Sequence, residues 1–354
     1  APGIVDLGVF VIDKPAFHFG GVTRAALMPD QSPVLDLPAM ITHNSAIGKP
    51  DLWSHPIAAA TKSLAGKQLA EIGLMTDAGA RVVSTGRQWI ADSGLMFKLL
   101  QYCQSLDLPL IVHSEDANLV NGAVATSGET ATRLGLASAP ASAEALSIAR
   151  DLTLVEETRA HVHFRQVTTE RGLNLIRKAK SQGLPVTCGI TPAHFLLSDI
   201  AISDFRTFAR LSPPLRGEDD RQACIAAIAD GTIDIISSGH DPRGPEDKRL
   251  PFAESEPGMA GAETLLALAL NLVKDGMISI GRLFELLSAN PARLLNVKAG
   301  SLTAGYEADL ILVDPDAPWQ VDTRKMAAAA GNTPFHGLPA QGRVKAIYKG
   351  GKAI

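Results

Sequence analysis

Short β-branched apolar runs alternate with longer amphipathic segments from residue 1 to about residue 295, with Gly, Pro and Asp at the joins. The apolar runs are Gly3–Val11, Val22–Met28, Ala80–Ser84, Leu108–His113, Ala160–Phe164, Pro185–Ile190 and Thr232–Ser237. Between them, Ser93–Leu106, Ala141–Thr158, Thr169–Gln182 and Asp219–Ala229 place apolar residues at the i, i+3/i+4 spacing of helices. Continuously apolar strands are covered on both faces, so this α/β alternation predicts a parallel sheet wrapped by helices. The number of units over this length predicts a closed TIM-type (β/α)8 barrel rather than an open doubly wound sheet, and no GxGxxG follows any strand.

After "LLSANPARLLNV" the texture changes. "GSLTAGYEADLILVDPDAPWQV" and "GRVKAIYKGGKAI" read as short alternating strands with Gly and Asp-Pro turns, part of a small β domain. The expected division is therefore a barrel over 1–295 and a β appendage over 296–354. So few strands are not stable alone. They should pack on the barrel or be completed by further strands. One join is short: only about ten residues separate the first strand from "GGVTRAALMPDQSP", where a crossover needs a dozen or more. That predicts a segment missing near Phe17–His18.

Composition narrows the function classes. At 354 residues and 46% hydrophobic, the chain can bury one large core or two unequal ones. A net charge of −4 with both signs dispersed points to no nucleic acid and no anionic membrane as partner. Cys103, Cys188 and Cys224 lie far apart without a CxxC pattern, which predicts a reduced, cytoplasmic setting. No stretch approaches the roughly 20 apolar residues of a membrane span, and the first residues do not read as a signal peptide.

Several residues invite chemical readings. His161 and His163 in "AHVHFR" share one face of a strand, and a surface or supporting structural role outweighs a displaced metal site built with His113 and His240. In "HSED", His113 is read as a pocket histidine, with Glu115 and Asp116 holding the next loop. A His240–Asp241 dyad in "SSGHDPR" is sterically awkward, because adjacent strand residues face opposite ways. Cys188 reads as a buried strand residue with no base beside it, and "GKP" at 48–50 lacks the pattern of a phosphate loop.

The motifs "MPDQSP", "IVHSEDANL", "GLPVTCGITPAHFLL", "SPPLRGEDDRQ", "PFAESEPGMAGAETLLALAL", "LLSANPARLLNV" and "GSLTAGYEADLILVDPD", in this order, resemble the class I dihydroorotases of the amidohydrolase superfamily. The resemblance implies a metal-dependent (β/α)8 barrel with a small composite β-sandwich domain. The β domain of that family also uses strands that precede the barrel, and these are expected to be absent here. It further implies zinc as cofactor and reversible cyclisation of N-carbamoyl-aspartate, with a zinc-bound hydroxide as nucleophile. Carried over residue by residue, however, the family's ligand positions fall on Gly8 and Phe10 (its His-x-His), Thr85 or its neighbour, His113, Gln166 and Gly239. Only His113 is a ligating residue, and one imidazole does not hold zinc. The substrate-binding Arg falls on Ile12, the Asn of "MPNTNP" on Asp30, the Asn before "PPLR" on Ser212, and the second His of "DHxPH" on Arg243.

The scaffold motifs, by contrast, stand intact. The expectation is therefore a degenerate dihydroorotase homologue with no catalytic residues, no metal and no cofactor. Its vestigial pocket would hold His113, Gln166, His240, Arg243, Asp30 and Arg216. The resemblance extends to relatives without metal ligands that partner aspartate transcarbamoylase, which implies a structural or regulatory role here in a homodimer or larger hetero-oligomer. Two alternatives are an active cyclic-amide hydrolase with a rebuilt metal site, and a metal-free small-anion binding module using Arg243, Arg216 and His240.

Overall fold

A computed structural model describes residues 1–354. Eight parallel strands stand side by side around one axis: Ile4–Val9, Val22–Leu27, Trp53–Pro56 continued by Ala58–Ala59, Val83–Ser84, Leu110–Val112, Val162–Phe164, Val186–Ile190 and Ile235–Ile236. The ring closes between last and first strands, where the Phe10 N–H donates to the His240 carbonyl at 2.9 Å and the Ser238 N–H to Asp6 at 2.9 Å. This is the expected (β/α)8 barrel.

Seven of the eight strands coincide with the apolar runs. The third does not, because Ser54, His55 and Pro56 interrupt its hydrophobicity and Pro is unfavourable in a central strand. The structure tolerates it because the strand changes partner there. Trp53–Pro56 pairs with Val22–Leu27, and at Ile57 the chain steps across to pair with Val83–Ser84. Val5, Leu7, Ala26, Ile57, Val82, Ile111 and Ile235 belong to one buried cluster, closed off by Leu294 and Leu295. The opposite strand faces meet the helices in the larger core cluster. In helix Glu170–Ser181, for example, Leu173, Ile176 and Ala179 are buried at i, i+3, i+6, and the Thr169 side chain caps the Gly172 N–H.

The short first join is made with the residues present. Helix Lys14–Gly20 starts at Asp13, whose carboxylate accepts from the Ala16 N–H, carries Pro15 in its first turn, and returns the chain directly to the second strand. It fits because Gly20 lies flat against the Ala262 backbone, where a Cβ would stand 2.2 Å from the carbonyl oxygen.

The C-terminal appendage is a three-stranded antiparallel sheet of Leu310–Gln320, Pro339–Lys349 and Lys352–Ala353, so the expected sandwich is represented by one sheet. It is anchored to the barrel by charge as well as by apolar contact. Arg24, buried on the second strand and stacked 4.5 Å from the Trp53 ring, pairs with Asp309 at 2.8 Å and with Glu307, and Lys349 donates to Asp309 at 2.7 Å.

One buried charge elsewhere sets a test of this packing. Asp151, on helix Ser142–Thr158, has an Oδ2 without a partner, and burial pushes its carboxyl up to about 6 against the single Arg150 contact. A raised carboxyl pKa costs stability above the folded value, and the cost fades as pH falls towards the unfolded value. Asp151→Asn, which still accepts from Arg150, should therefore raise the urea midpoint at pH 8, and the gain should vanish near pH 4.

Candidate functional site

The carboxyl ends of the strands carry the polar residues of the barrel mouth, as this fold requires. Phe10 ends the first strand, Arg87 follows the fourth, His113 the fifth, Arg165 and Gln166 the sixth, Thr191 and His194 the seventh, and Gly239 and Asp241 the eighth. Phe10, Arg87, Arg165, Gln166, His194 and Asp241 are among the residues around a cavity of about 20 Å³.

The centre of that mouth is a cation–aromatic stack. The Arg87 guanidinium carbon lies 3.5 Å from the Phe10 ring centroid and that of Arg165 lies 5.3 Å from it. Arg87 donates to Asp241 at 2.6 Å, and Arg243 reaches the same carboxylate oxygen at 3.0 Å. The Arg87 N–H donates to Asp30 at 2.9 Å. Arg165 has no carboxylate partner; burial and the neighbouring Arg87 charge push its guanidinium down to about 10. His194 is fully engaged, with Nδ1 against Thr191 Oγ1 at 2.7 Å and Nε2 against the Pro213 carbonyl at 3.0 Å. Burial brings it down to about 4, so it is neutral.

The profile of the amidohydrolase family matches residues 63–354. The dihydroorotase of Acetivibrio thermocellus is 37% identical over 369 aligned positions, covering 100% of this chain and 86% of the relative. The dihydroorotase of Pelobacter propionicus is 35% identical over 368, covering 100% and 87%. The chain belongs to the amidohydrolase family, as a dihydroorotase homologue. Among solved structures, the L-hydantoinase of Arthrobacter aurescens superposes with a TM-score of 0.89 at 24% identity, covering 100% of this chain and 84% of that one, and so shares its fold.

Zinc takes about four N, O or S ligands, and the donors of this dihydroorotase homologue do not fit it. Gly8 and Gly239 carry no side chain, and Phe10 offers a ring already facing two guanidiniums. Thr85 Oγ1 accepts from the His113 N–H at 3.3 Å, and Gln166 contributes only a neutral amide. His113 Nε2 sits 3.3 Å from Glu115. Nowhere do three His, Cys, Asp or Glu side chains converge as a metal site would need.

The expected pocket is partly dispersed. Gln166, Asp30 and Arg243 do lie at the mouth, but Arg216 and His240 do not serve it. Arg216 is buried and engages all three guanidinium nitrogens inside the protein, with Thr168 at 2.9 Å, Thr126 at 3.1 Å, Glu115 at 3.0 Å and Glu144 at 3.5 Å. His240 turns behind the first loop, 3.5 Å from Asp13 and 5.2 Å from the Phe17 ring, with Nδ1 accepting from the Ala262 N–H. Both are therefore removed from any anion-binding role. Burial alone would raise Asp13, but hydrogen bonds from His240 and the Ala329 N–H hold it below the usual carboxylate range.

His161 and His163 also part company. His163 is buried with Nδ1 2.9 Å from Thr187 Oγ1, and burial lowers it to about 3. His161 lies at the other end of the strand beside Asp107 and Asn296. Cys188 is buried with its thiol pushed far up by desolvation, as an inert strand residue would be.

Arg87 and Arg165 were the residues that sequence reasoning missed. For Arg165 the available signal was a charged residue at the carboxyl end of an apolar barrel strand, two positions after buried His163 and so on the same strand face, whereas Arg87 sits in the turn after Val83–Ser84.

Proposed function

We propose that this dihydroorotase homologue is non-catalytic, acts in pyrimidine biosynthesis, and serves as a structural or regulatory partner of aspartate transcarbamoylase. One observation carries the reading: the Phe10 ring and the guanidiniums of Arg87 and Arg165 stand where a dihydroorotase needs a cluster of metal ligands. Two fixed cations there oppose a divalent ion by like-charge repulsion, which is strong where water is excluded.

The retained scaffold motifs support the same reading, because their residues do structural work. Arg216 ties three segments together, and Asn290 donates to the Asp234 carbonyl at 2.7 Å. Three buried, unpaired cysteines suit a cytoplasmic setting. A partner would engage the outer helices and the β sheet, leaving the mouth uninvolved.

The test is metal content and dihydroorotate turnover of the purified chain, together with its co-expression with the transcarbamoylase. The expected result is no bound zinc, no turnover and one co-eluting assembly in which the transcarbamoylase gains activity or thermal stability. About one zinc per chain, lost together with hydrolysis on chelation, would establish the rebuilt hydrolase instead. A transcarbamoylase fully stable and active by itself would remove the partner role.

A further inference from the structure

We propose that the barrel mouth is a binding site for one small monovalent anion, of chloride or single-carboxylate size, held by Arg165 and Gln166. Arg165 is 5% exposed and Gln166 6%. Arg165 Nε and Gln166 Oε1 are both buried without a hydrogen-bond partner, and both residues border the mouth cavity. A buried guanidinium without a counterion is costly, and native proteins satisfy such groups. None of the neighbouring carboxylates is hydrogen-bonded or ion-paired to Arg165. Asp241 is shared by Arg87 and Arg243, Glu115 pairs with Arg216, and Asp30 accepts from the Arg87 N–H through Oδ1 while its Oδ2 has no partner.

Charge and size then select the ligand. Of Arg87, Arg165 and Arg243 at the mouth, Arg165 is the one without a carboxylate partner, since Asp241 takes both of the others. His194 is neutral there and adds none. A single monovalent anion would give Arg165 the partner it lacks. The cavity of about 20 Å³ has room for roughly one water-sized sphere, which admits chloride, bromide or a formate-sized carboxylate but no sugar acid. The amide of Gln166 can present its N–H2 to the same anion, because its orientation is not fixed by any other bond. This proposal does not depend on the transcarbamoylase reading.

Thermal unfolding of the full chain in sodium formate against sodium gluconate, at equal ionic strength, tests it. Formate should raise Tm by about 2 °C or more at saturation, with gluconate giving no such rise. Arg165→Met should abolish the difference, and its Tm in gluconate should equal or exceed that of the parent because an unpaired buried charge is gone. Gln166→Leu keeps the buried charge and should shift the formate midpoint about tenfold higher, the loss of one charge-assisted hydrogen bond. In crystals grown with bromide, the anomalous peak should lie beside the Arg165 guanidinium. Equal responses to formate and gluconate, a full formate response in either variant, or no bromide in the mouth would each overturn the assignment.

Discussion

A Gly8→His/Phe10→His variant is expected to bind no zinc and to be less stable than the parent. Gly8 has φ +82°, a left-handed conformation that costs an L-residue about 1–2 kcal/mol, and the new side chain would meet Arg165. Replacing Phe10 removes the ring between two guanidiniums, a contact of about 0.5–2 kcal/mol for each cation. Together a loss of about 2–6 kcal/mol is expected, measured by urea denaturation beside the zinc content of the purified variant. Two histidines do not rebuild a site whose opposite wall is Thr85, Gln166 and Gly239 and whose centre is occupied by cations. Tight zinc binding with dihydroorotate hydrolysis by this variant would show that the remaining residues complete a metal centre after all.

Arg216→Met should be the most damaging single change in the barrel, at about 3–5 kcal/mol, because it strands two buried carboxylates. Glu144 would retain its hydrogen bonds from Thr168 and Thr169, but Glu115 would keep only His113. The same network makes an acid-side prediction. Burial opposes ionisation of Glu115, yet His113 and Arg216 together hold its carboxyl down at about 2, against an ordinary value of 4.5. A depressed carboxyl contributes stability above the unfolded value, and that stability is lost as pH falls from about 4.5 through about 2. In Arg216→Met the Glu115 carboxyl moves back up, so the acid limb of unfolding should begin at higher pH. Urea midpoints measured from pH 7 to pH 3 check both the size and the direction. Unchanged midpoints would mean that Arg216 is dispensable to the fold.

Much of the barrel was legible because continuous apolar strands and helices buried at i, i+3 announce themselves in residue order, as in Val186–Ile190 and Glu170–Ser181. The third strand was not, since Ser54, His55 and Pro56 mask a segment whose place is set by partners on either side. The first crossover depends on a distant contact too. A seven-residue helix suffices there only because Gly20 allows contact with the Ala262 backbone, a segment some 240 residues away.

At the mouth the division is sharper. Residue order by itself established that Gly8, Phe10 and Gly239 carry no ligating group, since that follows from side-chain identity and needs no coordinates. It could not say what fills their place, or which cations remain free. Arg165 and Arg216 look equivalent in a linear reading: each follows a structured segment and precedes a polar loop. Folding aims one at Glu115 and Glu144 and leaves the other unpaired against Phe10. The reason is physical. Pairing depends on which strand ends meet across the barrel, and those ends come from segments some 50 to 150 residues apart, where no local pattern records their contact.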